Sequence, residues 1–177
     1  MGKTAKIIYA GGALLLTAIF TSVFVNNLPG KPDPVIAAQP DVAMASTYAS
    51  ANLDQQPVTS RVEGGKIIIS LNSVLDKKIV AFDYPSENTI IPLLAYISND
   101  GKLVTCIRLC EPCNSHVFRI EGTELACGNC ETHWKLSNLE GTKGSCQKFP
   151  PAPIPSVVVG SEIQIDEAVV KNWKMRI

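Results

Sequence analysis

All six cysteines of the chain lie between residues 106 and 146, and their spacing constrains the fold more than any other feature. Cys110 and Cys113 form one Cys-x-x-Cys pair, Cys127 and Cys130 form a second, and thirteen residues separate the two pairs. A tetrahedral metal site needs four thiolates at about 2.3 Å from the metal. A tight turn at each pair aims two sulfurs at one point. The spacing therefore predicts a four-cysteine metal site on two loops, the first knuckle (110–113) and the second knuckle (127–130).

The segment between the knuckles predicts a β-hairpin. Apolar residues recur in the run from His116 to Ile120, Glu121-Gly122-Thr123 is typical of a turn, and Leu125 follows it. A hairpin brings its two ends together, so this segment would place the second knuckle beside the first.

Cys106 and Cys146 remain after four ligands are assigned. A disulfide between them is one interpretation, since an extracytoplasmic compartment permits it. A free thiol at Cys106 is another. Three disulfides without any metal are a further alternative for the six cysteines.

Several polar or aromatic residues lie next to the knuckles in the sequence. His116 and His133 each follow a knuckle cysteine by three residues, so each is a candidate to support the ligands by hydrogen bonding or to replace one of them. Trp134 is a candidate to shield the site from water or to pack in the core. Glu111 and Glu131, which directly follow knuckle cysteines, are predicted to be solvated.

The N-terminal part predicts a membrane anchor. Residues 7–25 carry no charge and are mostly apolar, which gives a helix of roughly 28 Å, the thickness of a bilayer core. Lys3 and Lys6 precede this stretch, so we expect residues 1–6 in the cytoplasm and the remainder outside. Residues 26–62 are rich in Pro, Ala and Ser and predict a tether.

Residues 63–177 predict an extracytoplasmic, mainly β domain of roughly eight strands. Asn99-Asp100-Gly101 is a strong hairpin signal. The predicted strands outside the cysteine region are 66–71, 79–84, 90–98, 102–108, 156–159 and 162–165. The segment from Asp166 to Ile177 is predicted to end the domain as a short helix or strand.

The charge of the chain and its lack of hydrolytic motifs exclude two classes of function. The formal net charge is zero and no basic run is present, so nucleic acid is not an expected partner. No Ser/His/Asp set, phosphate loop or paired carboxylates occur in a suitable context, so hydrolytic chemistry has no support. The chain therefore favours a non-enzymatic electron carrier or metal-binding subunit.

The cysteine region resembles a known family. Residues 99–113, Leu125–Cys130 and Gly141–Cys146 together resemble the FtrD-like membrane iron–sulfur domain family, which is found with bacterial ferrous-iron uptake systems. The resemblance covers about residues 64–155. It implies an iron–sulfur cluster or another metal centre held by these cysteines on the extracytoplasmic side. The presence of Cys146 in the family pattern also implies a possible extra ligand.

A looser similarity is to Rieske domains. Residues 118–165 follow the Rieske order of a hairpin, a Cys-x-x-ligand loop, a proline run and two further strands. A Rieske centre uses two histidines on one iron, whereas the matching positions here are cysteines. The resemblance thus implies a small Rieske-like or zinc-ribbon-like β domain, with a lower potential than a histidine-ligated centre.

Three functions fit these patterns. The first is electron transfer or iron handling by an iron–sulfur cluster or a mononuclear iron, together with other membrane or redox proteins. The second is a structural zinc site in an accessory subunit of a membrane complex. The third is thiol–disulfide exchange, which is disfavoured because neither knuckle is followed by a helical pattern.

Overall fold

The computed structural model describes residues 33–45, 52–86 and 89–177. The predicted cytoplasmic segment 1–6, the predicted membrane anchor 7–25 and residues 26–32 and 46–51 of the predicted tether lie outside this part of the chain. No helix within the described residues is long and apolar enough to cross a membrane.

The described residues are mainly β, so the predicted fold class is confirmed at this level. The helices are α1 (Pro34–Ala37), α2 (Leu71–Lys77) and α3 (Glu167–Asn172), with a 3₁₀ turn at Glu111–Cys113. The strands, in chain order, are β1 (Asn52–Asp54), β2 (Gln56–Pro57), β3 (Arg61–Glu63), β4 (Lys66–Ser70), β5 (Ile79–Ser86), β6 (Thr89–Ile97), β7 (Leu103–Ile107), β8 (Phe118–Glu121), β9 (Glu124–Cys127), β10 (His133–Lys135), β11 (Gly141–Lys143), β12 (Ser156–Val159) and β13 (Glu162–Asp166).

The first sheet has the order β2-β5-β6-β7 and leads into the first knuckle. Its predicted hairpin is present: β6 and β7 pair antiparallel from Ile97 and Leu103 outward, around the Asn-Asp-Gly turn. Gly101 has φ +89°, and a Cβ there would lie 2.0 Å from the carbonyl oxygen of Ala43. Glycine is therefore required both by the backbone conformation and by the chain segment that covers the turn.

The second sheet has the order β12-β13-β4-β3 and forms one hydrophobic core with the first. Ile67 and Ile69 of β4 pair with Ile165 and Ile163 of β13, and all four side chains are buried. The predicted hairpin of β12 and β13 is confirmed, and the predicted final element is the helix α3. The helix α2, which sequence reasoning missed, is capped at its N-terminus by the Ser70 side chain.

The third sheet has the order β1-β8-β9-β10-β11 and contains the hairpin that connects the two knuckles. The predicted hairpin is β8 and β9, with Gly122 at φ +59° in the turn. Phe118 and Ile120 are buried in the same core cluster as the cysteines, whereas Arg119 and Glu121 alternate with them and face the other way.

The predicted tether is wrong over its described residues, because these pack on the domain. Ile36 of α1 is completely buried, and β1 pairs with β8 of the third sheet. Gln39 is also buried: its Nε2 donates to the Ile154 carbonyl oxygen at 2.6 Å, and its Oε1 accepts from Ser156 at 2.7 Å. Single buried residues such as Ile36 and Gln39 show no periodicity, so sequence patterns do not distinguish this Pro- and Ala-rich segment from an unpacked tether. The folded part therefore begins well before residue 63.

Candidate metal centre

The first knuckle is a tight turn that follows β7. Cys110 N–H donates to the carbonyl oxygen of Ser115 at 2.9 Å, which closes the loop around the 3₁₀ turn. Pro112 lies inside the turn, and Asn114 ends it with a left-handed φ of 53°. Since proline presets its φ and Asn tolerates the left-handed region, these residue types favour this loop over a continued helix.

The second knuckle connects β9 to β10. Cys127 N–H donates to the carbonyl oxygen of Thr132 at 2.9 Å, and its own carbonyl oxygen accepts from Glu131 N–H at 3.1 Å. Gly128 N–H donates to the carbonyl oxygen of Val117 at 2.8 Å, and a Cβ at Gly128 would lie 2.8 Å from Val117 Cγ1. The close approach at Gly128 holds the second knuckle against the chain that leaves the first.

A third segment, which follows β11, adds the sulfur of Cys146. Thr132 Oγ1 accepts a hydrogen bond from Cys146 N–H at 3.2 Å and a second from the Cys130 thiol at 3.2 Å. Gly144 makes this approach possible, because its φ is +91° and a Cβ there would lie 2.5 Å from Thr132 Oγ1. Thr132 therefore joins the second knuckle to Cys146.

Five cysteine sulfurs converge between these three segments. Cys110 Sγ lies 3.8 Å from Cys130 Sγ, Cys113 Sγ lies 3.6 Å from Cys127 Sγ, and Cys130 Sγ lies 3.7 Å from Cys146 Sγ. Two sulfurs on one tetrahedral metal ion with 2.3 Å bonds are about 3.8 Å apart. The observed separations therefore fit thiolate coordination of a metal.

Four of the five sulfurs also form a compact quartet. The Sγ atoms of Cys110, Cys113, Cys130 and Cys146 all lie within 4.8 Å of one another. Cys127 reaches this quartet through Cys113. The structure thus offers two arrangements of donors, two pairs that each join the two knuckles, or one quartet that includes Cys146.

All six cysteines are free thiols, so the interpretation of a Cys106–Cys146 disulfide is wrong, as is that of three disulfides. Cys146 lies among the knuckle sulfurs, while Cys106 is a completely buried residue of β7 that bridges to Pro153. The physical reason is that β7 directs Cys106 into the hydrophobic core beside Leu94 and Tyr96. Burial raises the pKa of Cys106, so this thiol stays protonated.

Burial and hydrogen bonding shift the pKa of Cys110, Cys113, Cys130 and Cys146 in different directions. Burial raises the pKa of Cys110 and Cys113. Burial acts in the same direction on Cys130 and Cys146, but hydrogen bonds from Thr132, Ser145 and neighbouring thiols outweigh it, and the pKa of both is lowered. A lowered pKa favours the thiolate, which is the form that binds a metal.

Glu111 in the first knuckle is buried, so the prediction that it is solvated is wrong. Arg176 near the C-terminus donates to it twice, from the backbone N–H to Oε2 at 2.7 Å and from Nε to Oε1 at 2.6 Å. Sequence reasoning missed this pair because 65 residues separate its members. Glu131, directly after the second knuckle, is more than half exposed, as predicted, and pairs with Arg119.

The two histidines and Trp134 occupy three different environments. His116 is exposed, and its carbonyl oxygen accepts from Gln55 Nε2 at 3.0 Å. His133 is buried, but its Nδ1 bonds Glu124 at 2.9 Å. Trp134 is completely buried in the cysteine core cluster, and its Nε1 donates to the Gln147 carbonyl oxygen at 3.1 Å. Trp134 therefore packs beneath the sulfur cluster. Thr132, which no sequence argument singled out, contacts the sulfur cluster directly.

Comparison with known proteins identifies the family. A solved structure similar to the chain is a ferredoxin from Sphingomonas yanoikuyae B1, at 22% identity and a TM-score of 0.45; the match covers 56% of this chain and 94% of the ferredoxin. No curated protein matches the chain. Residues 74–177, more than half of the chain, match the family described as "Membrane iron-sulfur containing protein FtrD-like", which confirms the resemblance read from the cysteine region. The chain is therefore a member of the FtrD-like family of membrane iron–sulfur containing proteins.

Proposed function

We propose that this chain binds an iron–sulfur centre through its knuckle cysteines and transfers electrons or handles iron within a membrane system. The observation that carries the proposal is the convergence of five free cysteine sulfurs at separations of 3.6–3.8 Å between three chain segments. The family description supports iron and sulfur over other metals. A bound iron–sulfur centre supplies one-electron transfer between a reduced donor and an acceptor.

The ligands that we propose are Cys110, Cys113, Cys127 and Cys130. Two pairs, Cys110 with Cys130 and Cys113 with Cys127, each join the two knuckles at the separation expected for one tetrahedral iron. In this arrangement each knuckle contributes one sulfur to each pair, so neither knuckle alone holds the centre. Cys146 is the additional sulfur, placed beside Cys130.

Burial of the cysteines limits access to this site. Cys110, Cys127 and Cys146 are buried, whereas Cys113 and Cys130 are half-buried, so one edge of the sulfur cluster lies near the surface. Pro112 and Asn129, which directly precede Cys113 and Cys130, are exposed and uncharged, whereas the exposed Glu131 that follows Cys130 is paired with Arg119. We assign electron entry and exit to this edge, where a membrane or soluble redox protein would dock. Trp134 and the core beneath exclude water from the opposite side.

The finer architecture and location are part of the same proposal. The β8–β9 hairpin with a knuckle at each end, followed by the proline run 150–155 and the β12–β13 hairpin, supports a Rieske-like arrangement with cysteines in place of histidines. The membrane term in the family description supports an anchor at residues 7–25, with the β domain on the extracytoplasmic side. Washing membranes with high salt tests the anchor, and release of the full-length chain would contradict it.

A second candidate is one metal ion bound by four sulfurs: zinc with a structural role, or a mononuclear iron, which would belong to the electron-transfer proposal. The mutual approach of Cys110, Cys113, Cys130 and Cys146 within 4.8 Å favours it, because a closed tetrahedron of four sulfurs has this size. Zinc in that site would stabilise the loops and carry no electrons.

A reductive titration of the full-length chain tests electron transfer. The chain, purified without oxygen, is reduced stepwise with dithionite while the visible absorption and the electron paramagnetic resonance (EPR) spectrum are recorded. We expect reversible one-electron bleaching at a potential below that of histidine-ligated centres. Absence of any dithionite-dependent change in both spectra would exclude an electron carrier and favour the zinc alternative.

A further inference from the structure

The third sheet has a second face, and this face carries charged side chains. Leu125 of β9 and Trp134 of β10 belong to the core cluster that contains the cysteines. Successive residues of a strand point to opposite sides, so Glu124 and His133 lie on the other face. Arg119 and Glu121 of β8 are on that face as well. These residues are separate from the sulfur cluster, and the proposed function does not use them.

His133 lies on this charged face, and one of its two ring nitrogens already forms a hydrogen bond. It is 5% exposed, and its Nδ1 lies 2.9 Å from Glu124 Oε2. Because a carboxylate only accepts, Nδ1 carries the hydrogen, which leaves Nε2 as a bare lone pair in the neutral imidazole. Nε2 is shielded from solvent and has no hydrogen-bond partner in the described part of the chain.

The unpartnered nitrogen faces carboxylates. Glu121 Oε2 lies 3.8 Å from His133 Nε2, beyond hydrogen-bond distance. Donor atoms of Glu121, Glu131 and His133 all lie within 4.8 Å of one another. Arg119 engages Glu121 through Oε1 and Glu131 through Oε2, so Glu121 keeps its Oε2 and Glu131 its Oε1 free of that guanidinium.

We propose that His133 Nε2, Glu121 and Glu131 bind one divalent cation of the Mn²⁺, Fe²⁺ and Zn²⁺ class. A histidine that ligates a metal commonly donates its other ring N–H to a carboxylate, as His133 does to Glu124, and this fixes the tautomer that exposes Nε2. One imidazole and two carboxylates suit such ions. A separation of 3.8 Å is too long for a direct hydrogen bond but accommodates an ion between nitrogen and oxygen at about 2.1 Å from each.

The surrounding charges are compatible with a cation. Three carboxylates, of Glu121, Glu124 and Glu131, lie in this cluster, and the cations that interact with them from the same sheet are Arg119 and Lys143. The carboxylates therefore outnumber the fixed positive charges. Glu131 is more than half exposed, which leaves the site open to solvent on its side.

A titration with Mn²⁺ tests the proposal on the full-length, tag-free chain with its cysteine site loaded. Mn²⁺ is the probe because it prefers carboxylate and imidazole over thiolate, so the cysteines do not compete for it. Binding removes the six-line EPR signal of free Mn²⁺. We expect one Mn²⁺ per chain. Undiminished six-line intensity at stoichiometric Mn²⁺ and near-millimolar protein overturns the proposal.

Variants locate the ion. Glu121→Gln and His133→Gln each remove one donor at nearly constant volume and should weaken Mn²⁺ binding at least about tenfold. Glu140→Gln is the matched control, since Glu140 pairs with Lys135 and has no contact with His133 among those observed, and it should bind as the unsubstituted chain does. Equal binding by all three variants overturns the proposal.

A spectroscopic measurement identifies the imidazole ligand without relying on a loss of Mn²⁺ binding. The chain has two histidines, so in His116→Gln the side chain of His133 is the one imidazole left. Electron spin echo envelope modulation of the bound Mn²⁺ in that variant should show an imidazole ¹⁴N. Bound Mn²⁺ without ¹⁴N coupling overturns the assignment, and binding that persists in Glu121→Gln with ¹⁴N coupling overturns the role of Glu121.

Discussion

Arg176 holds the carboxylate of Glu111 inside the first knuckle through two hydrogen bonds of 2.6 and 2.7 Å. The Glu111 side chain is 1% exposed, while Arg176 is 36% exposed and also donates to the carbonyl oxygen of Pro150. The C-terminal residues are thereby fastened to the loop that carries Cys110 and Cys113. The loop that carries Cys110 and Cys113 is thus held by a residue that lies far from it in sequence.

Arg176→Ala should destabilise the domain, because it removes the guanidinium from the buried Glu111 carboxylate and leaves the backbone N–H of residue 176 as its remaining donor at this end. Loss of one member of a buried ion pair costs about 3–5 kcal/mol, and the exposure of Arg176 reduces the expected loss to about 2 kcal/mol. Urea unfolding followed by circular dichroism measures it. Lys174→Ala, an exposed change of the same charge two residues away, should lie within about 0.5 kcal/mol of the unsubstituted chain. Equal stability of the two variants would show that the Glu111 contact contributes nothing.

Replacement of single cysteines by alanine should distinguish the metal ligands from Cys106, which we expect not to bind the metal. Cys110→Ala and Cys130→Ala each remove a sulfur present in both the paired and the quartet arrangement, so the metal content of the purified chain should fall at least about tenfold. Cys106→Ala is the matched control, since Cys106 is buried in β7 and its sulfur is not among the five that converge. It should keep its full metal content, and loss of metal in this variant would contradict the separation of Cys106 from the site.

Cys127→Ala and Cys146→Ala distinguish the two arrangements. If the two pairs across the knuckles bind the metal, Cys127→Ala loses it and Cys146→Ala keeps it, because Cys127 belongs to a pair and Cys146 is additional. The quartet predicts the reverse. We expect the first result. Elemental analysis of the two variants, purified side by side, decides between them.

Thr132→Val should lower the reduction potential without removing the metal. The Thr132 hydroxyl contacts Cys130 Sγ at 3.2 Å, and once this sulfur is ionised the hydroxyl can donate to it. Such a bond stabilises the reduced, more negative state, so its loss should shift the potential downward by a few tens of millivolts. Thr132→Ser retains the hydroxyl and should restore the original value in the same titration. A potential in Thr132→Val equal to that in Thr132→Ser would refute the role of this bond.

Gly144→Ala should disrupt the approach of Cys146, because an added Cβ would lie 2.5 Å from Thr132 Oγ1 and 2.6 Å from Thr132 Cα. Gly160→Ala is the control: its φ is +59°, but nothing lies within 4 Å of the added atom. The control should lose only the left-handed backbone cost of about 1 kcal/mol, and Gly144→Ala at least about 2 kcal/mol more. The difference in free energy of unfolding is the measurement, and equal losses would contradict a tight contact at Gly144.

The sequence predicts the parts of this protein that depend on local patterns. The Asn99-Asp-Gly turn, the β8–β9 hairpin and the approach of the two knuckles follow from residue types within a short stretch, and the structure has the two hairpins and brings together the knuckle sulfurs. The alternation of β10 also implies that His133 and Trp134 face opposite sides, although the spacing from Cys130 alone placed both near the metal.

Other features depend on contacts between distant residues, and sequence patterns do not encode them. The partner of Glu111 is Arg176, 65 positions away, so the local sequence predicts only a solvated acidic residue in a turn. Ile36 is buried as a single apolar residue in a Pro- and Ala-rich segment without periodicity. Cys146 reaches Cys130 through Thr132 and the left-handed Gly144, a closure that depends on backbone conformation.

The most direct test of the central claim is the iron, zinc and acid-labile sulfide content of the full-length chain purified without oxygen, measured together with its visible absorption. Five converging free thiols in a family of iron–sulfur proteins predict a coloured protein with iron and sulfide in equal amounts, and with zinc far below one per chain. A colourless protein with one zinc per chain and no sulfide would contradict the account.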